Sequence, residues 1–300
     1  VWLDDLREVS KRFRHYKLNC KLAFFVLLVL TFGIRLYYAM SIPVNYDEAW
    51  TFLHFTSKSF FSSMAFYPVP NNHVLHSILT NLTYYLPFGE SINLRLPSML
   101  LSTLSVALLF YVIKRIYQSD ILAFSVSIIF SALNGVLHYG FLARGYSLVL
   151  FAFIIAFYAL IKLINEDRDE GKYYRYLALG NLIGLYTMPS FVYATFSMFV
   201  ILFVAQIRDV KLLFKTLISA LKIVVISAIL YTPIIILSGF DSLLSSQFAV
   251  KIPLHKLLSN IPSNFEYLNQ NLLGFSMWIS LGLIVISMAL LSLSRKRVNL

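Results

Sequence analysis

The chain has 300 residues, of which 59% are hydrophobic and only 13% charged, with a mean hydropathy of +0.74. A soluble domain carries about a quarter charged residues, so a soluble globule is excluded; disorder fails on the same figures, and a disulfide scaffold on the single cysteine, Cys20. An all-α polytopic membrane protein is left, and its +11 charge must be located before it is assigned to nucleic acid or to topology.

Residues 1–21 are basic and amphipathic, suited to a cytoplasmic helix on the inner leaflet or to a solvated tail. Crossing about 30 Å of hydrocarbon takes roughly 20 apolar residues. Residues 22–40 meet that requirement with Arg35 as their only charge, and a long extracytoplasmic loop, 41–95, follows. Within it, 60–67 (FFSSMAFY) reads as lying flat at the interface. Residues 73–88, between Pro70 and Pro87, read as an interfacial or re-entrant helix, because a crossing there would reverse every later basic loop. Spans are expected at 96–113, 121–137 and 147–164. Residues 176–206 form 31 uncharged residues interrupted by Met188, Pro189 and Ser190, and further spans are expected at 217–240 and 272–293.

Five clusters hold 19 of the 25 lysines and arginines: the N-terminal segment to Lys21, Lys114-Arg115, 162–175, 208–222 and Arg295-Lys296-Arg297. Placing all five in the cytoplasm satisfies the positive-inside rule. It also makes 176–206 a hairpin turning near Pro189. The expected topology is about eight membrane segments within one transmembrane domain, 22–300, with both ends cytoplasmic, in a plasma (inner) membrane. The charge is then absorbed by topology, and no nucleic-acid partner is expected. No signal-peptide pattern precedes the first span. The start at Val1 and the stop just after a basic cluster lead to the expectation that the native chain continues beyond Leu300.

Asp47, Glu48, Glu90, Asp241 and Glu266 are the acids on the expected outer side. Asp47 and Glu48 follow the first span at headgroup depth, where a carboxylate is costly unless solvated or paired; they read as a functional pair or as the cap of a following helix. Arg144, just before a helix expected from Ser147, reads as an anion site or as an arginine snorkelling from the membrane edge. His73 and His76 share one helical face, fitting hydrogen bonds to a polar substrate or interfacial packing. No third closely spaced ligand accompanies them, so no metal site is assigned and no cofactor is expected, a divalent metal being the one left open.

Asn45-Tyr46-Asp47-Glu48-Ala49-Trp50 resembles the first-loop acidic motif of the GT-C superfamily of membrane glycosyltransferases. Pro70-Asn71-Asn72-His73, Phe88-Gly89-Glu90, Leu94-Arg95-Leu96-Pro97-Ser98 and Ala143-Arg144-Gly145-Tyr146-Ser147-Leu148 follow in the superfamily's order. The set is similar to the branch of protein O-mannosyltransferases and the lipid A aminoarabinose transferase, glycosyltransferase family 39, over residues 45–148. The resemblance implies an active site on the outer face under the first loop, a polyprenyl-phosphate-linked sugar donor, inversion at the sugar carbon, and Asp47 as catalytic carboxylate. Many relatives carry another acid in the second loop, and 138–146 has none. Where relatives often place a lysine, this chain has Asn72-His73.

Such a transfer needs a base for the acceptor and fixed positive charge for a departing phosphate. Asp47 is the expected base, with Glu48 holding the donor sugar or orienting Arg144. Arg144 is the first choice for the phosphate, with His73 and Lys58 as helpers and Asn72, His138 and Tyr146 completing the donor-binding set. The sugar, hexose or pentose, and the acceptor are left open. The competing expectation is a multi-pass transporter or lipid flippase.

Overall fold

The computed structural model describes residues 20–165, 170–244, 253–274, 278–279 and 281–282. Every regular element among them is helical. In chain order α1 is Cys20–Ser41; α2, Tyr46–Thr51, runs on as a π-turn, Phe52–Thr56; α3 is Phe60–Ala65, α4 Val74–Thr83 and α5 Glu90–Tyr117. Then come α6 (Asp120–Ala132), α7 (Asn134–Phe141), α8 (Tyr146–Ile164) and α9 (Glu170–Thr187). A 3-10 turn, Pro189–Phe191, leads into α10 (Val192–Ala205), and α11 is Val210–Ser238. The short helices α12 (Asp241–Leu244), α13 (Leu254–Ser259) and α14 (Ile261–Leu268) follow.

Among the described residues four helices are long and apolar enough to cross a membrane: Lys21–Ser41, Glu90–Tyr117, Tyr146–Ile164 and Val210–Ser238. The pair α6–α7, bent by 64°, makes a fifth if it is one span. Only 17% of the apolar window of Lys21–Ser41 and 11% of that of Val210–Ser238 is buried within the protein. Apolar faces left uncovered to that extent suit lipid rather than water. The expected run 121–137 is broken at Leu133, which turns extended (ψ 133°) ahead of Asn134 and Gly135. The run 176–206 is broken where expected. Met188 is extended (φ −142°, ψ 123°) because the residue before a proline is pushed out of the helical region. Residues 1–19 of the amphipathic segment, most of the expected last span 272–293, and Arg295–Arg297 lie outside the described residues.

The chain divides into two compact units. The first comprises Val1–Thr31, Leu109–His138 and Val250–Leu300. In it Phe110 packs on Phe24 and Phe124 at centroid distances of 4.6 and 4.9 Å. Lys114 pairs with Asp120 at 2.6 Å across the turn between α5 and α6.

The second unit, Phe32–Leu108 and Tyr139–Ala249, contains the loop after α1 and the helices that carry it. Its α8 and α9 approach until their backbones touch. A Cβ at Gly180 would lie 2.6 Å from the Ala152 carbonyl oxygen and 2.7 Å from the Ala156 nitrogen. Small residues at such a crossing let dispersion contacts act where lipid supplies no hydrophobic drive. Leu160, Leu177, Leu202 and Ile223 complete the core beside them.

Side-chain hydrogen bonds tie the loop to the helices around it. Pro97 inside α5 has no N–H for the carbonyl of Asn93, and the Thr83 hydroxyl donates to that oxygen instead at 2.8 Å. The Asn93 side-chain amide donates to the carbonyls of Tyr84 (3.0 Å) and Leu86, closing the turn between α4 and α5. Ser91 donates to the Ala39 carbonyl at 3.0 Å, tying α5 to the end of α1. Ser238 at the end of α11 accepts from the Tyr67 amide at 2.8 Å and donates to the Ala65 carbonyl at 3.2 Å.

Candidate functional site

Asn45 caps α2 reciprocally: the Glu48 amide donates to Asn45 Oδ1 at 2.9 Å, and the Asn45 amide donates to Glu48 Oε2 at 3.0 Å. This capping box turns Glu48 inward while Asp47, its neighbour, stays exposed. Arg95 meets Glu48 as a fork, Nε to Oε1 at 2.8 Å and Nη2 to Oε2 at 2.7 Å, with both side chains 0% exposed. The remaining guanidinium protons go to the carbonyls of Ala39 and Ile42 (2.7 Å each) and Pro43 (3.1 Å). The Ala143 amide gives Glu48 Oε1 its second bond at 2.7 Å. All five donors of Arg95 and both lone pairs of each Glu48 oxygen are thereby committed. Burial pushes the Glu48 carboxyl up, but the Arg95 bond and the Ala143 and Asn45 amides outweigh it and hold the group below the usual carboxylate range.

Glu48 is therefore the anchor that joins the end of α1, the start of α2 and the segment before α8. Of the roles expected from the sequence it takes the helix cap, and with no lone pair left for a ligand it does not hold the donor sugar; its bond to the Ala143 amide ties it to the residue before Arg144. Arg95 did not figure among the expected site residues. The available signal was a cation at the head of an apolar span facing a loop with adjacent acids, because a buried acid needs a cation. Arg95→Leu is expected to leave Glu48 buried and unpaired and to cost about 3–5 kcal/mol of stability. A thermal midpoint in detergent unchanged from the parent would contradict this.

Arg144 is 5% exposed and lies where α2, the Pro70–His73 turn and the start of α8 meet. Its Nη1 donates to Thr51 Oγ1 at 2.9 Å and to the Asn71 carbonyl at 3.2 Å, and lies 3.5 Å from the Asp47 carbonyl oxygen. Nη2 donates to Asn71 Oδ1 and lies 3.4 Å from His73 Nε2. Nε is buried with no hydrogen-bond partner. His73 Nδ1 accepts from the Gly145 amide at 2.7 Å, so the proton of the neutral ring sits on Nε2. Burial first, then the charge of Arg144 and the neighbouring His76, holds His73 well below the usual histidine range, which keeps it neutral. Two N–H groups thus face each other across 3.4 Å with no acceptor between them. His73 Nε2–H and Arg144 Nε are thus two buried donors without an acceptor, groups of the kind that an anionic oxygen satisfies.

Gly145 is required at this corner, because a Cβ would fall 2.6 Å from Thr187 Cγ2 and 2.9 Å from His73 Cβ. Tyr146 packs edge-on against the His73 ring at 5.1 Å, walling the site. The other expected residues divide. Asn72 is buried and committed, its amide to the carbonyls of Ser63 and Phe66 (3.1 Å each) and its oxygen to the Ser77 hydroxyl (2.7 Å). Asn72, expected in the donor-binding set, thus shapes the turn, and its neighbour Asn71, with Thr51, contacts Arg144. Lys58 is exposed in the turn after the π-turn, and His138 is exposed in the last turn of α7. Among the described residues no three His, Cys, Asp or Glu side chains gather as a metal-binding group. No family model matches the chain, and neither a curated protein nor a solved structure matches it.

His76 is also buried, and burial together with Arg144 pushes its pKa down to about 3. Both histidines are therefore neutral when folded, whereas an unfolded histidine takes up a proton below about 6.5. Below that value the unfolded chain binds more protons, so stability is full near neutral pH and falls as pH drops, on the order of 1 kcal/mol per pH unit for each histidine. Glu48, with its lowered value, acts in the same direction at lower pH. The thermal midpoint in detergent is expected to be lower at pH 5 than at pH 7.5, with a smaller difference in His76→Gln. Equal midpoints would contradict the buried neutral state.

Proposed function

We propose that the protein is an integral-membrane inverting glycosyltransferase that moves a sugar from a polyprenyl phosphate to an acceptor on the outer face of the membrane. The observation that carries the reading is the Arg144 corner. A buried guanidinium with an unpartnered Nε and an imidazole N–H lie at the start of an apolar helix, beside the backbone of an exposed acid. The motif resemblance over residues 45–148 supports the same reading.

In this mechanism the Asp47 carboxylate takes the proton from an acceptor hydroxyl or amine as its heteroatom bonds to the anomeric carbon of the sugar. The bond from that carbon to the phosphate oxygen breaks on the opposite face, and its electron pair stays with the polyprenyl phosphate. A phosphate is a weak base and leaves without a proton donor, so the demand on the protein is fixed positive charge, supplied by Arg144, His73 Nε2–H and the positive end of α8. Asp47 on α2 and Arg144 before α8 come from different segments, which suits attack and departure on opposite faces. A lipid donor keeps its chain in the bilayer and its phosphate at headgroup depth, the level at which such a corner between helix ends would work. The reading includes eight membrane segments, both ends cytoplasmic, in the plasma (inner) membrane, in the GT-C manner.

A transporter or flippase is the second reading, favoured by the broken pair α6–α7, since transporter sites form on interrupted helices. The deciding experiment incubates the purified chain in liposomes with defined polyprenyl-phosphate hexoses and pentoses and small hydroxyl and amine acceptors. Free polyprenyl phosphate with a new glycosidic product supports the transferase. Transbilayer movement of intact donor, with no product from any donor, would overturn it.

A further inference from the structure

Two histidines one helical turn apart, His73 directly and His76 through Ser98, reach opposite ends of a single peptide unit. The carbonyl of Arg144 accepts from Ser98 Oγ at 3.0 Å, and the amide of the same peptide, Gly145 N–H, donates to His73 Nδ1 at 2.7 Å. The one proton of Ser98 goes to that carbonyl, so Ser98 Oγ must accept from His76 Nε2, 2.9 Å away. This makes Nε2 the protonated nitrogen of His76. Thr80 Oγ1 lies 3.3 Å from the other ring nitrogen and donates to the His76 carbonyl at 2.9 Å. His76 and Ser98 are both 0% exposed, so bulk water does not compete for these bonds. Ser98 sits one turn after Arg95 on α5, on the helix that also fixes Glu48.

We propose that His76 and Ser98 are positioning residues that choose the tautomer of His73 and thereby make it a donor to an anionic ligand. A peptide unit is rigid, so fixing its carbonyl fixes the direction of its N–H. With the Arg144 carbonyl held by Ser98, the Gly145 N–H is aimed at His73 Nδ1, and the ring proton is confined to Nε2. The alternative tautomer would carry the proton on Nδ1 and offer Nε2 as a lone pair to Arg144 Nη2, 3.4 Å away. The guanidinium and the neutral imidazole would then satisfy each other, and the corner would present one donor group fewer to a ligand. The relay from His76 through Ser98 keeps the pair mutually unsatisfied until an anion arrives. The tautomer assignment stands on geometry alone; that the anion is a polyprenyl phosphate rests on the proposed function.

The test uses the full chain in nanodiscs, labelled with ring-15N histidine, with His73 assigned from the resonance missing in His73→Gln. The wild type is expected to show the Nε2–H form. Ser98→Ala removes the hydroxyl that donates to the Arg144 carbonyl and is expected to bring in the Nδ1–H form and to weaken binding of decaprenyl phosphate about tenfold. His76→Phe breaks the relay from its other end and is expected to do the same, while Ser98→Thr, which keeps the hydroxyl, restores both. An Nδ1–H form in the wild type, or an unchanged tautomer in either Ser98→Ala or His76→Phe, would overturn the relay. A wild type with the expected tautomer that binds neither decaprenyl phosphate nor inorganic phosphate would leave the relay standing and overturn the donor assignment, so the two failures are distinct.

Discussion

Asp47→Asn is expected to fold like the parent and to lose sugar transfer by about 10²–10⁴-fold, the range of a single positioned base. The fold should survive because Asp47 is exposed in the first turn of α2, outside the buried clamp that secures that helix. Asparagine matches aspartate in size and is equally tolerated there, so the change removes a proton acceptor and little else. Donor affinity should stay within a few fold of the parent, since the proposed phosphate contacts come from Arg144, His73 and α8. The informative control is the adjacent residue. Glu48→Gln is expected to lower the thermal midpoint, because four hydrogen bonds converge on that carboxylate and two of them come from a guanidinium. The measurement is a transfer rate from a defined polyprenyl-phosphate sugar, with thermal midpoints recorded on the same preparations. Transfer by Asp47→Asn within a few fold of the parent would remove Asp47 as the base.

Arg144→Ala is expected to lower kcat/KM for the donor by about 10²–10³-fold, the scale of removing one preorganised donor from a site of developing negative charge. The loss should include some loosening of the fold, because the same guanidinium ties Thr51 of α2 to Asn71 of the following turn. Arg144→Lys separates the two effects. A lysine keeps a positive charge near the phosphate but cannot reach Thr51, Asn71 and a ligand at once, as the planar fork does. The lysine variant should recover part of the donor dependence while leaving the thermal midpoint close to that of the alanine variant. Equal kcat/KM for donor in the parent and Arg144→Ala would contradict the assignment.

The division of labour between Asp47 and Glu48 shows where a sequence reading stops. Adjacent residues on a helix point about 100° apart, so one of an acidic pair can turn inward and the other outward, and nothing in the pair itself says which. The direction is set by the capping box of Asn45 and by Arg95, 47 residues away. The capping pattern is local, an Asn followed three residues later by a Glu, and was legible as a possible helix cap. The arginine was not, because a pairing across that separation depends on how α1 and α5 come together. The same holds for Asn71 and Asn72. Both precede a histidine in one short turn, and only the backbone path decides that Asn71 meets Arg144 while Asn72 folds back onto Ser63 and Phe66.

That α1, α5, α8 and α11 are long and apolar enough to cross a membrane was determined by the sequence alone, since an apolar run of such length satisfies its own backbone hydrogen bonds and needs no partner to be recognised. The break at Pro189 was equally legible, because a proline acts on the residue before it through local sterics. The break at Leu133 and the bend between α6 and α7 were not. The choice of which polar side chains anchor the loop and which face a ligand belongs to the tertiary structure. Buried polar groups are assigned by whichever donors and acceptors happen to meet, and those meetings join residues up to 173 positions apart. Composition and periodicity carry no record of them.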